Sequence, residues 1–517
     1  MSVHPAHPAA RAVVHPGHAP PLRAASLILL FAAASLGGCA RSRAERPAPR
    51  AAAVVADSSD AGRGLVPADL APTLGTAGFA KVLCSAVFVS GRDPKEAARN
   101  SGAFMIPGSE RTITDTVVDR ERKEVRLTYR HAVTRTARYY GDQGCIIHPD
   151  GFDRVFFEPV AVRTTLPDAS TQDWPMGDRL PDAPVPAEVN AARLAAAVDS
   201  AFADTAALTA AFLVIYKGRI LAERYGAGAH KDMQLESWSI GKSITATLFA
   251  RAMQDGLVKI RLDDPAPVRE WRERPNDPRA RIRVRDLLQM SSGLHFVASQ
   301  DPDYTPALGY PDHMYIYTGA IDVFRHSVTR PLQFQPGTKG RYRNSDPLII
   351  GYLVRQAVEA RGGNYLTFPQ RALFDRIGIR RQVLETDPYG NFLLTGYDYG
   401  TARNWGRLGL LYLQDGVWRG ERLLPEGWAK FVSTPAPAWD EPEYGGLFWI
   451  NGTGDWNLPR DAYYMAGAGG QYTFVVPSHE LVVVRLGHFR GSRAGGRTLN
   501  AALAELMKAI PPAGRAE

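Results

Sequence analysis

The sequence predicts an α+β fold in which an antiparallel sheet, built from both ends of a domain, is flanked by helices and holds a mainly helical insertion. Three observations lead to this prediction. Paired strand patterns lie early, around residues 211–224, and late, around residues 471–486. The stretch between them is rich in helical patterns, and the domain closes on an amphipathic helix. A small α+β unit precedes this domain.

Composition narrows the class of protein before any motif is considered. Of 517 residues, 45% are hydrophobic and 22% are charged, which is typical of a globular protein and excludes a mostly disordered chain. The formal net charge is +8, but no run of consecutive Lys or Arg forms a basic patch. We therefore expect no nucleic-acid partner.

The large domain is predicted over residues 187–517, and each of its elements has a local pattern. Two hairpins are indicated because strand-like runs flank short turns, the first of which is Lys217-Gly218. The predicted elements are helix Glu188–Phe202, strands Ala211–Tyr216, Arg219–Arg224, Gln471–Val476 and Leu481–Leu486, and helix Thr498–Ile510. Residues 74–186 are predicted to form the small unit and a linker strap rich in Pro and Asp.

Residues 1–38 are typical of a secretory signal. Arg11 and Arg23 precede the apolar run Ala24–Ser35, which is too short to span a bilayer that needs about 20 helical residues. The run leads to Leu36-Gly37-Gly38-Cys39, which resembles the bacterial lipobox. This resemblance implies a periplasmic protein that is lipidated at Cys39 and anchored to a membrane, with the outer membrane favoured. The alternative is an ordinary secretory signal in which the Cys occurs by chance.

Two further cysteines, Cys84 and Cys145, follow a stretch, residues 39–73, that we interpret as a flexible tether. Both cysteines lie in or beside strand-like runs, Val82–Val89 and Gly144–Ile147. Since disulfides persist in exported proteins, we predict a bridge between them; the alternative is two buried free thiols. No C-x-x-C pattern or pair of His at ligand spacing predicts a metal site, and no cofactor is expected.

The motif with the clearest chemistry is Ser239-Ile240-Gly241-Lys242, at the start of a predicted helix that ends near Asp255. Residues i and i+3 share one face of a helix, so the serine and the lysine would be neighbours. A serine hydroxyl needs an adjacent base, and a lysine amine can act as one when burial and the helix dipole disfavour its charge. The alternative is an N-cap serine followed by a solvated lysine.

With its context, W-S-I-G-K-S-I-T before a helix and Gly-Leu, this motif resembles the serine β-lactamase and penicillin-binding superfamily, over about residues 190–510. The resemblance is strongest to its 6-aminohexanoate-dimer hydrolase and esterase branch. Tyr342 and Asn344, in Y-x-N, occupy the second family motif. The resemblance implies that Tyr342 shares a proton with Lys242, as a phenolate beside an ammonium, and that Asn344 helps to hold substrate.

The third family motif differs in this chain. Where the family has K-T-G, this sequence has Met465-Ala466-Gly467, so the lysine that recognises a carboxylate is absent. Gly467 would allow close approach of a strand to substrate, and the amide of Ala468 would join that of Ser239 in an oxyanion hole. Four tyrosines in the insertion could line the pocket, and the sequence does not choose among them: Tyr304, Tyr310, Tyr315 and Tyr317.

These residues predict an exported serine hydrolase that cleaves ester or amide bonds of small molecules through an acyl-enzyme on Ser239. Two alternatives remain open at this stage. One is a penicillin-binding or β-lactamase-type enzyme, which the absent K-T-G lysine disfavours. The other is a non-catalytic cell-envelope binding protein on the same scaffold, which the joint presence of Ser239, Lys242 and Tyr342 disfavours.

Overall fold

The computed structural model describes residues 65–106 and 108–514. The predicted signal peptide, the predicted lipidation site Cys39 and residues 39–64 of the predicted tether lie outside these residues. The first long helix begins at Ala71, so residues 71–73, which we assigned to the tether, form its first turn.

The small unit is one long helix packed across a four-stranded antiparallel meander. Its helices are α1 (Ala71–Phe88), α2 (Pro94–Ala97) and α3 (Ser109–Thr112). Its strands are β1 (Ile113–Asp119), β2 (Glu124–Tyr129), β3 (Val133–Tyr139) and β4 (Cys145–Ile147). The strand predicted at the second cysteine is confirmed as β4.

The strand predicted at Val82–Val89 is wrong, because this stretch is the second half of α1. Residues Leu74–Val87 are buried on every side of the helix, so the apolar residues show no amphipathic period that would distinguish a helix from a buried strand. Ala68–Phe88 is long and apolar enough to cross a membrane by length and composition. In this structure, 78% of its most apolar window is buried inside the protein.

The large domain alternates helices and strands from residue 191 onward. Its helices are α4 (Ala191–Phe202), α5 (Gly241–Gln254), α6 (Val284–Leu288), α7 (Asp312–Thr318), α8 (Val323–Val328), α9 (Ser345–Glu359), α10 (Ala402–Leu413), α11 (Trp428–Val432) and α12 (Ser492–Ala509). Its strands are β5 (Thr209–Tyr216), β6 (Arg219–Tyr225), β7 (Leu235–Glu236), β8 (Val383–Leu384), β9 (Asp398–Gly400), β10 (Val417–Trp418), β11 (Glu421–Arg422), β12 (Trp449–Ile450), β13 (Tyr463–Gly467), β14 (Gln471–Val476) and β15 (Leu481–Gly487).

Six of these strands form the central antiparallel sheet, in the order β12-β13-β14-β15-β5-β6. Side chains along β5 alternate between two cores, as the period of two requires. Phe212 and Val214 join the core beneath α4 and α12, whereas Leu213 and Ile215 join the core that contains α10. The predicted α+β fold, with a sheet drawn from both ends of the domain and helices on both faces, is confirmed.

A second, three-stranded sheet positions the serine helix. Strand β9 lies between β7 and β8, and all neighbours are antiparallel. Strand β7 ends at Glu236, three residues before Ser239, and the Ser237 amide donates to the Asp398 carbonyl at 3.0 Å. The turn before α5 is thereby hydrogen-bonded to a strand residue that comes 161 residues later in the chain.

The small unit contacts the large domain through a buried ion pair that lies beside its own disulfide. Cys84 of α1 and Cys145 of β4 form a disulfide with Cα atoms 6.0 Å apart, which confirms the predicted bridge. Beside it, Lys81 of α1 forms an ion pair with Glu385 of the large domain, and both side chains are buried. Glu385 also accepts hydrogen bonds from the Ser85 hydroxyl at 2.8 Å and the Cys145 amide at 2.7 Å.

Candidate active site

Ser239 lies in a tight turn between β7 and α5. Residues Trp238–Ile240 form a single 3₁₀ turn that leads directly into the helix, and Trp238 adopts a left-handed backbone with φ of +51°. A left-handed conformation is unusual for a bulky residue and is held only where the surroundings determine it. The hydroxyl of the half-buried Ser239 is thus presented at the N-terminus of α5.

Lys242 is the partner of Ser239 that the motif predicted. Its Nζ lies 3.0 Å from Ser239 Oγ and donates to the Thr395 carbonyl at 2.9 Å. The side chain is 1% exposed, and burial lowers the pKa of this amine well below its usual value. A neutral amine at this distance can accept the serine proton, which is the condition for general-base catalysis.

Tyr342 completes the group from the loop before α9. Its ring centroid is 4.7 Å from Lys242 Nζ. Burial raises the pKa of this phenol, and the neighbouring Ser239 side chain lowers it by less. Burial thus favours the neutral form of both groups, an amine beside a protonated phenol, whereas the family resemblance implies an ammonium beside a phenolate.

Asn344 lies beneath the tyrosine loop. Its side chain is fully buried, and its amide nitrogen donates to the His313 carbonyl of α7 at 3.1 Å. Its Oδ1 has no hydrogen-bond partner among the residues described. Asn344 thus connects the loop that carries Tyr342 to α7. Its predicted contact with substrate stays a prediction.

The end of β13 approaches the serine turn so closely that only glycine fits. A Cβ on Gly467 would lie 1.9 Å from the Ser237 carbonyl oxygen and 3.1 Å from the Ser239 amide nitrogen. Ala468, which follows, is half-buried and therefore reachable from solvent. Both predicted oxyanion donors, the amides of Ser239 and Ala468, consequently belong to segments in contact with each other.

A buried arginine of β15 stabilises the turn after Ala468, which we call the oxyanion turn. Arg485 is 1% exposed and donates to the carbonyls of Gly469 at 3.2 Å and Gly470 at 2.6 Å. Both glycines have positive φ, +86° and +77°, which an alanine would adopt only with strain. A second branch of the guanidinium donates to the Ala207 carbonyl at 2.7 Å.

An aromatic wall stands beside the serine and contains a residue of the small unit. We use this name for Phe104, Trp238 and Phe489. Phe104 stacks on Phe489 with centroids 3.7 Å apart and meets Trp238 edge-on at 5.1 Å. Phe104 and Phe489 are half-buried, and the backbone of Phe489 packs against Gly469 of the oxyanion turn.

Sequence analysis missed several residues that organise the site. Thr395 contributes only its carbonyl, which accepts from both Lys242 and the Tyr317 hydroxyl, the latter at 2.6 Å. A backbone acceptor carries no residue-type signal. Of the four candidate tyrosines, Tyr317 is therefore the one that the structure links to the lysine. Asp398 and Ser237 were also missed, since nothing local shows that they meet.

Known proteins are similar to this chain over the large domain. A family model described as Beta-lactamase matches residues 194–508. The 6-aminohexanoate-dimer hydrolase of Paenarthrobacter ureafaciens is 23% identical over 315 residues, covering 56% of this chain and 76% of that protein. The matched family range contains all the predicted catalytic residues but not the small unit.

The large domain is also similar to solved structures, of which the first below supports the fold. A Bacillus anthracis protein provisionally named a 6-aminohexanoate-dimer hydrolase is 17% identical, with a TM-score of 0.50, over 65% of this chain and 89% of its own. A penicillin-binding protein homologue from Caulobacter crescentus is also 17% identical, with a TM-score of 0.46, over 63% of this chain and 98% of its own.

Proposed function

Because this chain belongs to the Beta-lactamase family, we propose that it is a serine hydrolase that cleaves ester or amide bonds of small molecules through an acyl-enzyme on Ser239. The family match confirms the resemblance predicted from the motifs. The observation that carries the proposal is the 3.0 Å contact between Lys242 Nζ and Ser239 Oγ, with the Tyr342 phenol beside both atoms.

Acylation follows from the neutral resting pair. The Ser239 hydroxyl gives its proton to the neutral amine of Lys242, and Oγ attacks the substrate carbonyl carbon. The amides of Ser239 and Ala468 stabilise the negative oxygen of the tetrahedral intermediate. The proton then passes from the ammonium through the Tyr342 hydroxyl to the leaving alcohol or amine, and the ester or amide bond breaks.

Deacylation reverses the proton path. Water gives a proton along the same route to Lys242 and attacks the acyl carbon. The acid is released when the Ser239–acyl bond breaks and Oγ regains a proton. No step requires a group other than the amine, the phenol and the two amides.

The substrate class is supported by two features of the pocket. Met465 is fully buried in the slot where the family has its carboxylate-binding lysine, which disfavours penicillin-type and peptide-terminus substrates. The aromatic wall offers apolar and π contact in its place. Uncharged esters and amides with an apolar or aromatic group therefore suit the site best.

Activity-based labelling tests the proposal directly. Wild type and Ser239→Ala are treated with a fluorescent fluorophosphonate and, separately, with a fluorescent penicillin. We expect label from the first probe on wild type alone and none from the second. Labelling by both probes would favour a penicillin-type enzyme, and labelling by neither would favour the non-catalytic binding protein.

We also propose that the protein is exported and anchored through a lipid at Cys39. The lipobox-like Leu36–Cys39 and the Cys84–Cys145 disulfide support this, because disulfides persist outside the reducing cytosol. Expression in a bacterial host with labelled palmitate, followed by membrane fractionation, tests it. Wild type should carry label in the membrane fraction, and Cys39→Ala should carry none. Unlabelled wild type would contradict the anchor.

A further inference from the structure

A buried carboxyl lies directly behind the serine turn, outside the group of residues used above. Asp398, at the start of β9, is fully buried. Its Oδ2 accepts a hydrogen bond from the Ser237 hydroxyl, and its carbonyl accepts from the Ser237 amide at 3.0 Å. Its Oδ1 has no hydrogen-bond partner among the residues described. A buried carboxyl that is only partly satisfied is costly, so its retention calls for a functional reason.

The unpartnered oxygen faces the start of the serine helix. A Cβ on Gly241 would lie 2.4 Å from Asp398 Oδ1, so this oxygen packs against the first residue of α5, next to Lys242. The N-terminus of this 14-residue helix carries partial positive charge, which favours a carboxylate there. Glycine at position 241 is what leaves room for the carboxyl.

Charged groups face Asp398 from two other elements. Lys242 approaches from α5 and Lys81 from α1 of the small unit. Lys81 Nζ lies 3.5 Å from the ring centroid of Tyr397, the residue that precedes Asp398. The remaining titratable groups around these two lysines are Tyr317, Tyr342 and His313 near Lys242, and Glu236, Glu385 and Tyr399 near Lys81.

We propose that Asp398 is a positioning residue of the reaction, whose carboxylate offsets the ammonium formed when Lys242 takes the Ser239 proton, and that Lys81 of the small unit fixes this carboxylate in place. The inference rests on the proposed function. It assigns the small unit a part in catalysis, although that unit lies outside the family match.

The pKa shifts of Asp398 and Lys242 have the directions expected from this geometry. Burial raises the pKa of Asp398 to about 7, while the Ser237 hydroxyl and the two lysines lower it. In return, the Asp398 carboxylate raises the pKa of Lys242 against the larger lowering that burial causes. The ionised aspartate therefore makes the amine a stronger base than burial alone would allow.

The test is the pH profile of Asp398→Asn on a p-nitrophenyl ester. Loss of the negative charge lowers the pKa of Lys242, so the acid limb of kcat/KM moves to lower pH, by about half a unit or more. The plateau kcat falls by roughly tenfold because the amine is a weaker base, while KM changes little. A merely structural role would reduce the active fraction without moving the acid limb.

Asp387→Asn is the matched control. Asp387 is also buried, with a pKa that burial raises to about 7, but its carboxyl is held by the Val323 amide and by Asn391 and does not face Lys242. This variant should leave both kcat and the acid limb unchanged. If it moves the limb as far as Asp398→Asn does, the inference is overturned.

A second pair of variants tests the part played by the small unit. Lys81→Met combined with Glu385→Gln removes both charges of the buried pair, so neither is left uncompensated. We expect the combined substitution to lower kcat in the wild-type background and to lower it much less in the Asp398→Asn background. Equal losses in the two backgrounds would show that Lys81 does not act through Asp398.

Failure of this inference can be told from failure of the proposed function. If Ser239→Ala keeps its turnover, the proposed function is wrong. If Ser239→Ala is inactive but Asp398→Asn keeps the wild-type profile, only the inference is wrong. Should Asp398→Asn fail to fold, Ser237→Ala takes its place. Loss of the hydroxyl donor raises the pKa of Asp398, leaves it less ionised near neutral pH, and should move the limb in the same direction.

Discussion

At the scale of single residues, the site depends on side chains whose charge is suppressed by burial. Lys242 is 1% exposed and has only Ser239 Oγ and the Thr395 carbonyl as hydrogen-bond partners in the residues described. Its folded-state pKa lies well below the usual value, so the unfolded chain binds more protons than the native chain at pH values between the folded and unfolded pKa. The residue that makes the serine reactive is thus one that destabilises the fold.

Lys242→Met should therefore abolish turnover and raise the free energy of unfolding at pH 7, by on the order of a few kcal/mol. Thr395 keeps the hydrogen bond from Tyr317, so no buried acceptor is left unpaired. The gain should shrink toward pH 10, because the amine of the unfolded chain begins to lose its proton as the pH approaches its ordinary pKa of 10.5. Urea unfolding at the two pH values measures it, and an unchanged or lower value at pH 7 would contradict the assignment.

Tyr342→Phe separates proton transfer from packing. The phenylalanine keeps the stacking against Trp449, whose ring centroid is 5.4 Å away, but loses the hydroxyl beside Ser239. We expect kcat for a p-nitrophenyl ester to fall by roughly 10²-fold, as for the loss of a general acid or base. Thermal unfolding should stay close to that of wild type. A kcat within twofold of wild type would refute the role given to the phenol.

At the scale of elements, the oxyanion turn takes its shape from a side chain that does not touch substrate. Arg485 holds two glycine carbonyls and the Ala207 carbonyl at once, which a planar guanidinium can do and an ammonium cannot. Arg485→Lys should lower kcat about tenfold or more, since loss of one oxyanion donor costs roughly 10²–10³-fold.

The matched control for Arg485→Lys is Arg251→Lys. Arg251 is buried in α5 and likewise donates to backbone carbonyls, those of Ala372 and Leu423, away from the oxyanion turn. Steady-state kinetics and thermal unfolding should show lower stability for both variants but lower kcat for Arg485→Lys alone. Equal kcat losses would mean that Arg485 acts only through overall stability.

Elements with a clear period could be predicted from the sequence, and those without one could not. The hairpin at Lys217-Gly218 and helix α4 were confirmed, because a short turn between two strand-like runs marks a hairpin and helical spacing marks one buried face. Helix α1 has no exposed face, and Val82–Val89 was therefore misread. In the site, Ser239 and Lys242 are three residues apart and were predictable. The contact of Asp398 with Gly241 joins distant parts of the chain, which no local pattern encodes.

At the scale of the whole molecule, a disulfide fixes the part of the small unit that packs on the large domain. The Cys84–Cys145 disulfide closes a loop with a sequence separation of 61 residues and lies next to the Lys81–Glu385 pair. Replacing both cysteines by alanine should lower the free energy of unfolding by about 4 kcal/mol, on the chain-entropy account of such a loop. Denaturant unfolding under non-reducing conditions measures this loss. A change of less than about 1 kcal/mol would show that the bridge is dispensable.

The small unit should also influence which substrates are accepted. Phe104→Ala removes the outer ring of the aromatic wall, so the KM of an aryl ester should rise by about tenfold, as for loss of an aromatic contact, while that of an acetate ester changes little. Phe152→Ala is a suitable control, since this exposed ring meets Phe156 edge-on at the surface, away from the aromatic wall. A parallel rise for both esters would point to general loosening instead of substrate contact.

The ion pair between Lys81 and Glu385 has a practical consequence for expression of the family-matching part of the chain without the small unit. A fragment that starts at residue 187 would keep every motif of the hydrolase and yet lose Lys81, the partner of Glu385. It would also expose the apolar surface of the large domain on which α1 packs. It would also uncover the flank of Trp238. The range that matches the family is thus shorter than the part of the chain that folds cooperatively. We expect such a fragment to accumulate as insoluble aggregate.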